Sequence, residues 1–343
     1  MRKDTATPVA CDQTCAYYGA ASVCGRNVQI GKGLKAVNDK LTVPAALAVL
    51  AFGVLVLVPI FNILLAVPAV AGLILLLTDK RFPIGAAAAI GAMVVSFAIG
   101  GSFMLYMTVL LVVLPGAIIA ACIRSNKDAV SSVFIALAPI LVLGIVFFAS
   151  VGETESFFEE LRPDLESDFR MMAEKLGLDK DNGEQFEQAV EMSLNFMGYM
   201  IRFMPALFLI IFTVISAAAY MLAGYGFKRE GRYLLPLPRY DHWKIREFVM
   251  VIFGVGLILV LLGNGIIEDV GENVALYTFF LFGFGGISIV EYMLRKQKAA
   301  WYIKALVYFG IVILNIYSAI ILGIAGLIDS HFDFRRLRAL RIG

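Results

Sequence analysis

The sequence predicts an all-α polytopic membrane protein of about nine transmembrane helices, with an amphipathic helical hairpin standing outside the membrane. Three observations predict it. First, 60% of the residues are hydrophobic and 16% charged, against roughly half and a quarter in soluble domains, and the mean hydropathy is +0.84. Second, the runs Val43 to Leu77, Ala129 to Val151, Phe203 to Gly226 and Ala305 to Ile328 reach the roughly 20 apolar residues that a spanning helix needs. They lack the period-two alternation of an outer-membrane barrel strand. Third, the charges between the runs come in blocks of mostly one sign, as topology demands.

The segment 1–41 is a polar leader. Met1 to Lys40 holds no apolar stretch of the kind a cleavable signal needs, and "VACD" around Cys11 resembles a lipobox only superficially. Cys11, Cys15 and Cys24 follow C-x3-C-x8-C, which fits no common zinc or cluster spacing, and the two histidines, His242 and His331, are remote. No metal and no cofactor is expected. In a cytoplasmic leader these thiols would stay reduced. Cys122, inside an apolar run, reads as a small core residue.

Residues 42–151 are predicted to hold transmembrane helices 1–5. The first block is too long for one span and carries Pro59, Asn62 and Pro68, so a tight turn is placed near Pro59 to Asn62. "TDKRFP" follows, with Pro83 suited to start a helix. The next block divides at Gly100, Gly101 and Ser102 and ends at "RSNKD". A fifth span runs from about Ala129 to Val151.

Residues 152–193 change character. Between Glu153 and Glu191 there are thirteen acids against Arg162, Arg170, Lys175 and Lys180. Phe158, Leu161, Leu165, Phe169, Met172 and Leu176 recur at steps of three and four, the stripe of an amphipathic helix. Gly177 reads as its stop and Asn182 as the next N-cap. Phe186, Ala189, Val190, Leu194, Met197 and Ile201 then carry one face onward into the sixth span. A calcium loop in "DKDNGE" fails, because putting Gly183 at the sixth position puts Leu178 at the first.

Residues 194–328 hold helices 6–9. The loop "FKREGRYLLPLPRYDHWKIRE" is basic, "GNGIIEDVGEN" acidic and "RKQKAAWYIK" basic. Cytoplasmic loops collect Lys and Arg, so one alternation of nine spans places the leader and every basic loop inside a bacterial inner membrane and the acidic hairpin outside. The tail, 329–343, then falls outside, against its arginines. A re-entrant last segment with the tail inside is the other solution, with Phe334, Leu337 and Leu340 lying on an anionic surface. The net charge of +2 gives no reason to expect a nucleic-acid partner.

"GLIDSHFDFRR", "LPLPRYDHWKIREFVM", "FGFGGISIVEYMLRK" and "FMPALFLIIFTVISAAAYMLAGY" together resemble the YybS-like family of predicted bacterial membrane proteins, over roughly Thr42 to Arg336. The first six helices of that family look distantly similar to the S-components of energy-coupling-factor transporters. The resemblance implies a six-helix bundle with an outward pocket for a small molecule, and an ATPase-containing partner. S-components stop after six helices, whereas this chain adds three.

Arg202 stands out as a charge within an apolar stretch. It would either hold an anionic group of a ligand, with Asn195 and Tyr199 nearby, or snorkel to Glu187, Glu191 or lipid headgroups. Glu291 has Arg295 four residues on, which gives an ordinary helix pair or a proton-coupling group. Asn62, Tyr106 and Asn315 would line a pocket or bond helix to helix. The pairs Gly85/Ala89, Ala88/Ala92, Gly116/Ala120 and Ala219/Ala223 suit partner docking or internal packing. Asp329 and Asp333 could pair with Arg335 and Arg336. No catalytic set is present, so no enzyme is expected. Two functions follow from these residues: a small-solute binding or transport module, or a non-transporting scaffold that recruits envelope or division proteins.

Overall fold

The computed structural model describes residues 41–55, 59–78, 81–151, 154–176, 183–232, 234, 237, 240–243, 245–332 and 335. Every regular element among them is helical. In order these are α1 (Thr42–Leu55), α2 (Pro59–Leu77), α3 (Phe82–Thr108), a π segment (Val109–Val113), α4 (Leu114–Arg124), α5 (Ala129–Ala136), α6 (Ala138–Val151), α7 (Thr154–Leu176), α8 (Gly183–Arg202), α9 (Met204–Arg229), a 3-10 turn (Tyr240–His242), α10 (Glu247–Leu262), α11 (Ile266–Lys296) and α12 (Trp301–Phe332). Among the described residues five stretches are long and apolar enough to cross a membrane: Phe82–Arg124, Ala129–Ser150, Met204–Arg229, Ile266–Lys296 and Trp301–Phe332. Thr42–Gly53, Leu64–Leu77 and Glu247–Leu262 are shorter apolar helices. Pro59 to Asn62, where the sequence places a turn, instead form the start of α2, with Pro59 at a position where its missing N–H is no loss. Cys11, Cys15, Cys24, the helix stop expected at Gly177 and the N-cap expected at Asn182 lie outside the described residues.

Two of the five long stretches fold back on themselves. Ser96 and Thr108 hydroxyls lie 2.6 Å apart, although twelve residues of straight helix span about 18 Å. The Arg124 guanidinium sits 5.0 Å from the centre of the Phe82 ring, although the intervening chain would extend about 60 Å. The reversal comes at Gly100 (φ −136, ψ 19) and Gly101 (φ 65, ψ −154), the break expected from "GGS". Only glycine occupies the backbone region of Gly101 without strain.

The second reversal is in α12, at Asn315 (φ 43, ψ −111). Near the start of α12, Lys304 Nζ is 2.9 Å from Glu291. Beyond its end, Arg335 Nη1 is 2.6 Å from Ser288. Ser288 and Glu291 are one turn apart on α11, so both ends of α12 meet the same end of that helix. A straight path from 304 to 335 would cover roughly 46 Å. α12 therefore turns back within its own length instead of running straight past α11.

The main core lies between α1, α2, α3, α4, α5, α6 and α9, where Phe52, Leu73, Ile74, Ile119, Phe212 and Tyr220 are fully buried. The small-residue pairs lie inside it: a Cβ on Gly85 would press on Leu76 and Leu77, one on Gly116 on Leu73, and Ala219 and Ala223 are buried. Cys122 is buried as well. α10, α11 and α12 form a second packed unit around Val249, Leu281 and Phe282. It is tied to α9 by Thr213 and Tyr277, whose hydroxyls lie 3.1 Å apart. Gly286 and Gly326 set the α11–α12 crossing, since a Cβ on either would collide with the other helix's backbone.

α7 and α8 pack along their apolar stripes, with Phe158, Val190 and Leu194 buried and Leu165, Phe169, Phe186, Met197 and Ile201 against them. Met172, expected on that stripe, is 61% exposed. The helix turns 100° per residue, so a run at steps of three and four drifts around the axis and its end leaves the contact line.

Candidate functional site

Three charged networks hold the fold, and they divide by sign between its two ends. At one end α8 terminates on Arg202, which faces the first turns of α11. Its Nη2 lies 3.0 Å from Glu268, and its Nε lies 2.9 Å from Asp269 and 2.6 Å from Glu272. The spacing of 268, 269 and 272 puts these three acids on one side of a helix. Asp269 also accepts from the backbone N–H of Thr154 at 3.2 Å and from its hydroxyl, so the start of α7 is fixed to the same point. Asn273 donates to the carbonyls of Arg202 and Asp269 at 2.8 Å and accepts from the Ala206 N–H at 2.9 Å. α7, α8, α9 and α11 thus converge on one cluster of three carboxylates and one guanidinium.

The pairing of Arg202 differs from the one expected with Glu187 or Glu191. The guanidinium reaches the acids of α11 instead, 66 to 70 positions along the chain. Glu268, Asp269 and Glu272 registered in the sequence only as a marker of sidedness. Three acids at a helix start opposite the sole cation in an apolar stretch were the available signal. Among the described residues no group of three or more His, Cys, Asp or Glu is arranged to hold a metal ion.

At the other end Glu291 accepts from Arg295 at 2.5 Å, Lys304 at 2.9 Å and Tyr308 at 3.0 Å. The helix pair with Arg295 is present, and the other two donors come from α12. Beside it lies the buried Arg335. It pairs with Asp329 at 2.8 Å and donates to the carbonyls of Asp241 (2.9 Å) and Trp243 (2.6 Å) and to Ser288 (2.6 Å). Of the proposed tail pairs, Asp329–Arg335 is therefore formed, while Asp333 and Arg336 lie outside the described residues. Ser288 in turn lies 2.5 Å from the carbonyl of Tyr240. Between α2 and α3, Arg81 meets Glu230 at 2.7 Å with both side chains buried.

The remaining candidates are not gathered with Arg202. Asn195 and Tyr199 line a shallow open groove on α8 with Gln188, Glu191, Met192 and Phe196. Tyr106 is 68% exposed on the returning leg of α3. Asn315 sits at the break in α12. Asn62 lies in the first turn of α2, with its side chain outside the described part of the structure.

No curated protein and no solved structure matches the chain. A family model matches residues 45–330, nearly the whole of the helical body. The chain therefore belongs to the family described as "Predicted membrane protein (DUF2232)".

Proposed function

We propose that the chain is a non-catalytic scaffold of the bacterial inner membrane, which holds the paired helices α7 and α8 outside the cell membrane for a partner protein. The observation that carries this reading is the outer face of α8. Met192, Phe196 and Tyr199 are exposed there at 73%, 62% and 61%, while the opposite face is buried on α7. The base of the pair is fixed to the bundle through Thr154, Asp269 and Arg202. The surrounding surface is acidic, so the partner that fits it presents an apolar ridge flanked by Lys and Arg.

The orientation follows from the sorted charges. Arg81, Arg124, Arg229, Arg246 and Arg295 border one end and Glu268, Asp269 and Glu272 the other, and the positive-inside rule assigns the first to the cytoplasm. On this reading the chain crosses eight times, and α12 enters and leaves from the cytoplasmic side.

A carrier resembling an S-component would gather polar groups around a cavity in the first six segments. Here Phe52, Phe212 and Tyr220 fill that interior and Arg202 is engaged by Glu268, Asp269 and Glu272. A photo-crosslinking residue at Phe196 in native membranes is expected to yield one protein adduct, weakened by high salt and by Glu191→Lys. Absence of that adduct, together with a small molecule retained by gently purified protein and lost in Arg202→Ala, would restore the carrier.

A further inference from the structure

Two arginines stand apart from the networks above. Arg124 and Arg229 are the last residues of two of the long apolar stretches, and both are exposed. Among the described residues neither forms an ion pair with a carboxylate, unlike Arg81, Arg202 and Arg335. Each guanidinium instead lies over an aromatic ring, Arg124 5.0 Å from the centre of Phe82 and Arg229 5.0 Å from that of Tyr225. Arg232 shows the contrast. It stacks at 4.7 Å on the buried Phe227, and Glu230, 3.6 Å away, balances its charge. The acids nearest Arg124 and Arg229 in the chain are already engaged, Asp128 by the Ser131 N–H at 3.0 Å and Glu230 by Arg81 at 2.7 Å.

Stacking uses the face of a guanidinium and leaves the N–H donors at its rim free, and two such donors in parallel match a pair of phosphate oxygens. The rings beneath are themselves exposed, and so are the apolar Met221 and Leu222, one turn inward from Tyr225 on the same face of α9. We propose that Arg124 on Phe82 and Arg229 on Tyr225 hold the phosphates of anionic phospholipid, with an acyl chain lying along Tyr225, Met221 and Leu222. Basic sites at the ends of spanning helices take up such headgroups, and a soluble anion would use the guanidinium but leave the apolar strip bare. Phe82 follows Arg81 directly and Glu230 follows Arg229, so the buried Arg81–Glu230 pair fixes the backbone beside both. The sites need only headgroups at this end of the bundle, and they stand whether or not α7 and α8 hold a partner.

The test uses the full chain purified in detergent and mixed with micelles carrying phosphatidylglycerol or phosphatidylcholine, with bound lipid counted by native mass spectrometry. Phosphatidylglycerol should be retained in preference to phosphatidylcholine. Combining Arg124→Gln with Arg229→Gln should lower that retention on the order of tenfold, as the loss of two headgroup cations implies. Combining Lys127→Gln with Lys228→Gln removes the same charge from exposed side chains that stack on no ring, and retention should stay close to that of the parent. All four side chains are exposed, so both double variants should melt as the parent does in plain detergent. Equal losses in the two double variants would reduce the sites to diffuse positive charge, and equal retention of the two lipids would reduce them to an apolar surface. Displacement of the lipid by inorganic phosphate would make them sites for a free anion. Each of these three results overturns the inference.

Discussion

Arg335 and Arg202 are both guanidiniums facing carboxylates, and their burial sets what each is worth. Arg335 and Asp329 have side chains only 2% and 3% exposed. Replacing Arg335 with alanine strands a buried carboxylate and two carbonyls, which costs about 3–5 kcal/mol. Arg202 is 29% exposed, and water screens what remains when it is lost, so Arg202→Ala should cost less, about 1–2 kcal/mol. Thermal unfolding in detergent would order the two variants. Equal losses would mean that Arg335 is less committed to the loop at Tyr240–Trp243 than its hydrogen bonds indicate. Arg335→Lys should recover only part of the loss, because an ammonium cannot reach two carbonyls, a hydroxyl and a carboxylate in one plane.

Among elements, the α7–α8 pair and the α3 reversal respond to different variables. Arg170 hydrogen-bonds Glu187 across the pair at 2.8 Å and Glu166 within α7, and this guanidinium holds the Glu187 carboxyl below its ordinary value. The folded side chain is the more acidic one. Its contribution is therefore present in full above the unfolded glutamate value, about 4.3, and is lost as pH falls through the depressed folded value. Amide exchange in α7 and α8 should accelerate on acidification below that point in the parent and show a weaker pH response in Glu187→Gln. The reversal at Gly101 depends on backbone conformation instead. Gly101→Ala should destabilise by about 1–3 kcal/mol, since its φ of 65 with ψ of −154 suits glycine alone. An unchanged melting temperature would show that the two legs of α3 do not need that geometry. Gly326→Ala should cost a similar amount for a different reason, the backbone of Phe282 standing where the new Cβ must go.

For the whole molecule, the sorting of charge predicts an accessibility map. With the four native cysteines replaced, cysteines at Lys127, Lys298 and Arg341 should react only from the cytoplasm, and those at Glu153 and Asn264 only from outside. Labelling of Lys298 and Arg341 from opposite sides would make α12 a true crossing. Labelling of Glu153 from the cytoplasm would invert the entire arrangement and place the acidic helices inside.

Much of this architecture is written in local chemistry. Apolar run length, the glycine pair at 100–101, the amphipathic stripes of α7 and α8, the Glu291–Arg295 helix pair and the Asp329–Arg335 pair each depend on residues within a few turns, so spacing alone announces them. Other features depend on which segments meet. The acids of α11 lie more than sixty positions from Arg202, Glu230 lies 149 from Arg81, and Arg335 reaches a loop more than ninety positions earlier. Asn315 offered the sequence no sign of a reversal, because asparagine does not by itself dictate a positive φ. Only the packing of Gly286 and Gly326, with Lys304 and Arg335 drawn to one turn of α11, brings the two ends of the last apolar segment together at one end of that helix. Apolar composition selects a helix for the membrane, but the direction in which that helix leaves depends on contacts distant in the chain.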